Sequence, residues 1–119
     1  MLLFIDDDSI QNMLNTKLME FCGIPNPKKT FTDPIKAMEY IQENPDDIEC
    51  LFLDLNMPEI SGWQFLDRMN GTLKMPVFIL TSSMNLEDQA KAHHYSAVKE
   101  FISKPLTSSQ IEELKLKYC

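Results

Sequence analysis

Three short runs in this chain contain no charged residue: "LLFI" at 2–5, "CLFL" at 50–53 and "VFIL" at 77–80. Each is four residues long, which is too short for a helix and right for a buried strand. A strand that alternates apolar and polar residues covers one side of a core, whereas one that is apolar throughout must be covered on both. Between the runs, apolar residues recur at helical spacing. A chain built this way makes a parallel sheet with helices on each side, a three-layer α/β domain.

The covering segments can be bounded from their caps. After the first run, Ile10, Met13, Leu14, Leu18 and Phe21 recur at helical spacing. Asp8 with Gln11 three residues on forms a capping-box signature, and Gly23 and Pro25 close that helix. A weaker strand precedes Phe31. Asp33-Pro34 then supplies an N-cap and a proline at the first helical position, with Ala37, Met38 and Ile41 inward and Asn44-Pro45 as the stop. Trp63, Phe65, Leu66 and Met69 share a helix that ends at Asn70-Gly71. A polar helix follows over 85–94, "VKEFI" at 98–102 is the last strand, and "TSSQIEELKLKY" forms the last helix with Ile111, Leu114 and Tyr118 inward. Five strands alternate with five helices in a single domain over residues 1–119.

Charge narrows the function. Eleven basic residues against eighteen acidic ones leave a net charge of −7. A nucleic-acid binder needs a basic stripe to displace counterions, so direct nucleic-acid binding is not expected. Cys22 and Cys50 sit among apolar neighbours and read as buried small hydrophobes in a reducing compartment, with Cys119 the odd third. No apolar run reaches membrane-spanning length and no signal peptide opens the chain, so a cytoplasmic protein without membrane contact is expected.

In an open parallel sheet, ligands bind beyond the carboxyl ends of the strands. The residues that follow the apolar runs and the last strand are Asp6-Asp7-Asp8, Asp54, Thr81-Ser82 and Lys104-Pro105. Packing acids together is costly: two charges about 4 Å apart repel by about 4 kcal/mol at an effective dielectric near 20. Acidic groups, a hydroxyl and an ammonium at one edge suit a divalent cation and a phosphoryl group. Each residue alone has a plainer use. Three acids at a helix start favour the macrodipole, Thr81 could cap a turn, and Lys104 could be solvated. Their conjunction at four strand ends favours the chemical reading. His93 and His94 are adjacent on a helix and point about 100° apart, so they cannot chelate one metal together. Trp63 reads as a packing residue, and the eight methionines mostly as core filler.

"LFIDDDS", "LFLDLNMPEISG", "FILTSS" and "FISKPL" resemble the four signature segments of the response-regulator receiver domain, the phosphoacceptor module of two-component signalling. The resemblance spans essentially the whole chain and is nearest the stand-alone, chemotaxis-regulator-like type. It implies a flavodoxin-like (βα)5 fold with strand order 2-1-3-4-5. It also implies that Asp54 accepts a phosphoryl group from a histidine kinase or histidine phosphotransfer protein, and that the domain catalyses nothing beyond its own phosphorylation and dephosphorylation. Mg2+, or Mn2+ in its place, would be held by Asp7 directly, by Asp6 mainly through water, by Asp54 and by the Asn56 backbone carbonyl. Thr81 and Lys104 would contact the phosphoryl oxygens, with Lys104-Pro105 joined by a cis peptide. Thr81 and Phe101 would form the switch to a downstream protein partner, and Ser83 would tune the phosphoryl lifetime. The resemblance implies a monomer or weak dimer. Phe101 stands where many members have tyrosine, and Ser96-Ala97 lacks the glycine often found before the last strand.

Two other readings use the same residues. Asp6 and Asp8 form a D-x-D after a buried strand, as in haloacid-dehalogenase phosphatases, where Asp6 would be the nucleophile and Asp8 the general acid. That pattern leaves Asp54 without a role and lacks an acidic pair after Lys104. The other reading is a receiver that docks without being phosphorylated. A flavin-binding domain of the same topology would want a hydroxyl- and glycine-rich loop where this chain has acids.

Overall fold

The computed structural model describes residues 1–69, 71–82 and 85–118. Its elements alternate as β1 (Leu2–Ile5), α1 (Ser9–Phe21), β2 (Lys28–Phe31), α2 (Pro34–Glu43), β3 (Cys50–Leu53), α3 (Gly62–Arg68), β4 (Val77–Thr81), α4 (Leu86–Ala92), β5 (Val98–Ser103) and α5 (Ser108–Tyr118). The five strands form one parallel sheet in the order β2-β1-β3-β4-β5.

Because the three apolar runs are buried on both sides, each sends alternate residues to opposite faces. Leu3, Ile5, Leu51, Leu53, Val77 and Ile79 join one cluster with Ala37, Met38 and Ile41 of α2, Trp63, Phe65 and Leu66 of α3, and Ala92 of α4. Leu2, Phe4, Phe52, Phe78 and Leu80 join the other with Met19 of α1 and Ile111 and Leu114 of α5. Phe4, Phe52 and Phe78 run across β1, β3 and β4 as a row of rings, 4.7 Å and then 5.2 Å between centroids. Such ring pairs add to the area they bury.

The caps lie where residue chemistry places them. Asp8 accepts from the Ile10 amide and Asp33 from the Ile35 amide, with Pro34 opening α2. Ser61 and Gln64 form a reciprocal capping box at α3, and Thr107 and Gln110 exchange the same pair of bonds at α5. Gly23 and Gly71 take positive φ, the conformation that glycine adopts without penalty. The expected stop at Asn70-Gly71 falls partly outside the described residues, since Asn70 is not among them.

Three expectations need correction. The helical stripe Ile10, Met13, Leu14 and Phe21 faces solvent, and α1 instead buries Asn12, Asn15 and Met19. Tyr118 is 39% exposed. At the end of α5 its ring edge meets Phe78 while its hydroxyl reaches outward to Glu100. Cys22 and Cys50 are half-buried at the margin of the α1/α5 cluster, not enclosed by it.

Candidate functional site

Strand register brings the acids together. Ile5 of β1 pairs with Leu53 of β3, so the next residues, Asp6 and Asp54, leave the sheet side by side. Thr81 pairs with Ser103 at the other end of the edge, so Lys104 follows directly and its amide bonds to the Thr81 carbonyl at 2.8 Å. The Lys104-Pro105 peptide is cis. Gly62, the last residue of the D-x-N-M-P-x-x-x-G segment, opens α3 against this corner. A Cβ there would lie 2.6 Å from the Asp54 carbonyl oxygen and 2.9 Å from Leu55 Cα, both backbone atoms. Only glycine lets α3 start this close to the strand end that carries Asp54.

The Asp6 and Asp54 side chains are almost enclosed, at 4% and 5% exposure, while Asp7 is exposed. Oxygen atoms of the three carboxylates lie within 4.8 Å of one another. Lys104 bridges the buried pair, its Nζ 2.5 Å from Asp6 Oδ2 and 3.5 Å from Asp54 Oδ2. Asp6 Oδ1 accepts from the Asp8 amide at 3.0 Å, fixing the turn into α1. Asn56 Nδ2 lies 3.5 Å from Thr81 Oγ1, and Thr81 is fully buried. Asp8, Gln11, Ser82 and Pro105 complete the rim of the open cleft.

Burial pushes the Asp54 carboxyl up to about 6, and the Asp6 charge adds to the rise that Lys104 only partly offsets. Asp7 is also raised, through desolvation and then the charge of Asp6. Burial works against the charge on Lys104, but the bond to Asp6 and the charges of both acids outweigh it and hold the ammonium above its ordinary range. Three carboxylates and one ammonium therefore leave the cleft short of positive charge. An all-oxygen donor set of this spacing fits a hard divalent cation.

A family model for the response regulator receiver domain matches residues 2–115. The chain belongs to the response-regulator receiver family. A protein-glutamate methylesterase/protein-glutamine glutaminase of Methylobacillus flagellatus is 34% identical over 109 residues, covering 89% of this chain and 30% of that protein. Hybrid signal transduction histidine kinase L of Dictyostelium discoideum is 25% identical, covering 98% of this chain and 7% of its own length. This receiver thus spans less than a third of either relative. A two component response regulator from Cytophaga hutchinsonii superposes with a TM-score of 0.90 at 30% identity, covering 98% of this chain and 94% of that one.

Sequence reasoning selected Asp6, Asp7, Asp54, Asn56, Thr81 and Lys104, and the structure sets five of them around one cleft, with Thr81 fully buried beside Asn56. Phe101 lies apart from the carboxylates, half-buried in β5 against the α2/α3/α4 cluster and paired with Ile79. Ser83 lies outside the described residues. Periodicity overlooked Asn12, whose amide reaches this corner from α1. A polar residue on the face opposite the apolar stripe was the only signal for it. Among the described residues no helix is long and apolar enough to cross a membrane.

Proposed function

We propose that this receiver domain accepts a phosphoryl group on Asp54 from phosphohistidine of a histidine kinase or phosphotransfer protein, with Mg2+ or Mn2+ bound beside it. The observation that carries the reading is the convergence of Asp6, Asp7 and Asp54 within 4.8 Å, with Lys104 reaching Asp54. Asp7 would hold the metal directly, Asp54 and the Asn56 carbonyl would complete the protein's share, and Asp6 would act mainly through water. Once held there, the cation would offset the acids' charge and supply Lewis-acid stabilisation of the phosphoryl oxygens. One Asp54 carboxylate oxygen forms the new bond to phosphorus as the phosphorus–nitrogen bond breaks, its electrons returning to the donor imidazole. Lys104 and the Thr81 hydroxyl take the phosphoryl oxygens.

Hydrolysis is slow because the residue two past the acceptor is Asn56, which forms hydrogen bonds but cannot act as general acid or base. Ser83 is the second position that sets the lifetime. Drawing Thr81 toward the phosphoryl group opens space beside β5, into which Phe101 turns more deeply. The altered surface, over residues 85–118, receives the downstream protein.

Incubating the chain with a small acyl phosphate and Mg2+, then mapping the label, tests the reading. Label on Asp54 that requires the cation and is lost in Asp54→Asn is expected, and label on Asp6 would instead support the phosphatase chemistry. Asp7→Ala should weaken metal binding more than Asp8→Ala, and equal losses would remove Asp7 as the direct ligand.

A further inference from the structure

The inward face of α1 holds a feature that neither packing nor capping accounts for. Asn12 and Asn15 are buried there, 2% and 5% exposed, where a helix ordinarily presents apolar side chains. Both border a narrow crevice behind Asp6 and Asp54, beside Phe4 and Phe52. Asn12 Nδ2 donates to two backbone carbonyls, that of Asp6 at 3.1 Å and that of Phe31 at 3.2 Å. Phe31 O also accepts from the Asp6 amide at 3.1 Å. One side-chain amide thus ties the first turns of α1 to the carboxyl ends of both β1 and β2. Its own Oδ1 is buried with no hydrogen-bond partner.

That unmet oxygen is informative. A buried acceptor without a partner offsets part of what the two donated bonds contribute to the fold, so cohesion is a weak reason for an asparagine at this position. What the amide does provide is control of the Asp6 peptide. Asp6 is held at its amide by Phe31, at its carbonyl by Asn12, and at its carboxylate by the Asp8 amide and Lys104. Of these, the bond from Asn12 is the one that fixes the peptide plane leading into Asp7. Without it, mutual repulsion of the three neighbouring carboxylates would be free to rotate that peptide and spread the donors apart.

We infer that Asn12 is a positioning residue for the acid site, clamping the Asp6–Asp7 peptide so that the carboxylates stand ready for a cation. The inference rests on the metal reading above and extends it to a residue that touches neither metal nor phosphoryl group. Partners that orient ligands in this way are commonly worth ten- to hundredfold in metal affinity.

The test compares Asn12→Leu with Asn15→Leu, which alters the same buried face at a residue with no bond to the turn. Mn2+ binding is titrated by the loss of its free-ion electron paramagnetic resonance signal, and exchange of the Asp7 and Asp8 amides is followed in metal-free protein. Asn12→Leu is expected to weaken Mn2+ binding about tenfold and to speed exchange at both amides, by more than the fall in its denaturation midpoint from the unpaired Asp6 carbonyl produces at amides elsewhere in the sheet. Asn15→Leu should leave affinity and exchange unchanged. Parent-like affinity and exchange in Asn12→Leu overturn the inference, as do equal losses in the two variants. If the parent chain fails to bind Mn2+, the metal reading falls, while the metal-free exchange still decides whether the clamp exists. Asn12→Met supplies the same two readouts if leucine at this position prevents folding.

Discussion

The two faces of the sheet are built differently. On the α2/α3/α4 face, helices bury what their periodicity announces, including Ala37, Met38 and Ile41 of α2 and Phe65 and Leu66 of α3. On the α1/α5 face, α1 buries two asparagines and a methionine while Ile10, Met13, Leu14 and Phe21 stay in solvent. One face is organised for cohesion. The other gives up part of its apolar contact to hold the strand ends from which the acids project. Stability and site geometry are thereby assigned largely to separate layers.

The strongest check on that division is truncation on each side. Phe65 is fully buried in α3, and Phe65→Ala should cost about 3–5 kcal/mol in urea denaturation, whereas Met19→Ala in α1 should cost about 2 kcal/mol. Equal costs would erase the contrast between the faces.

Asp54 measures what the site itself takes from the fold. Its carboxyl is raised from 3.8 to about 6 in the folded protein, mainly by burial. A raised acid favours folding while protonated, and that contribution is lost as pH climbs from about 4 through about 6. Asp54→Asn, which stays neutral, should therefore stabilise the metal-free protein by about 2 kcal/mol at pH 7. The gain should shrink through that window and vanish below pH 4. A gain independent of pH would mean that the buried charge is not its source.

The smallest effect belongs to the outer surface of α1. Ile10 is 61% exposed and Leu14 50%. Exchanging each for glutamine should move stability by less than about 0.5 kcal/mol. A loss of several times that amount would place these residues in the core after all.

The same contrast explains what was legible in the sequence. "LLFI", "CLFL" and "VFIL" announced a sheet covered on both sides because no other short structure buries four consecutive apolar residues. The site was legible because the polar residues that close those runs must leave the sheet at one edge. Register supplied the remainder: that Asp6 stands beside Asp54 depends on Ile5 pairing with Leu53, a long-range fact that no local pattern contains. Orientation of α1 was not legible. A helical stripe shows that a helix has two sides, but only tertiary contacts decide which side is buried, and here the buried side carries Asn12, Asn15 and Met19, with the Asn12 amide bonded to two strand ends. Tyr118 was misplaced for a related reason, since at a helix end its ring could pack while its hydroxyl reached Glu100.

Trp63 is the only tryptophan in the chain. Its indole stacks on Tyr95 with centroids 5.4 Å apart, donates to Asp88 Oδ1 at 3.0 Å, and lies 5.5 Å from the Lys91 ammonium. Every one of these neighbours lies in α4 or in the segment that follows it. Apart from Ala92, α4 offers no buried side chain of its own among the described residues, so the indole is its principal attachment to α3. Tryptophan emission, excited beyond the absorption of the three tyrosines, is therefore the optics of a single seam. It registers how α4 is seated, while the far-ultraviolet signal averages over ten elements, and the two spectra read different parts of one molecule.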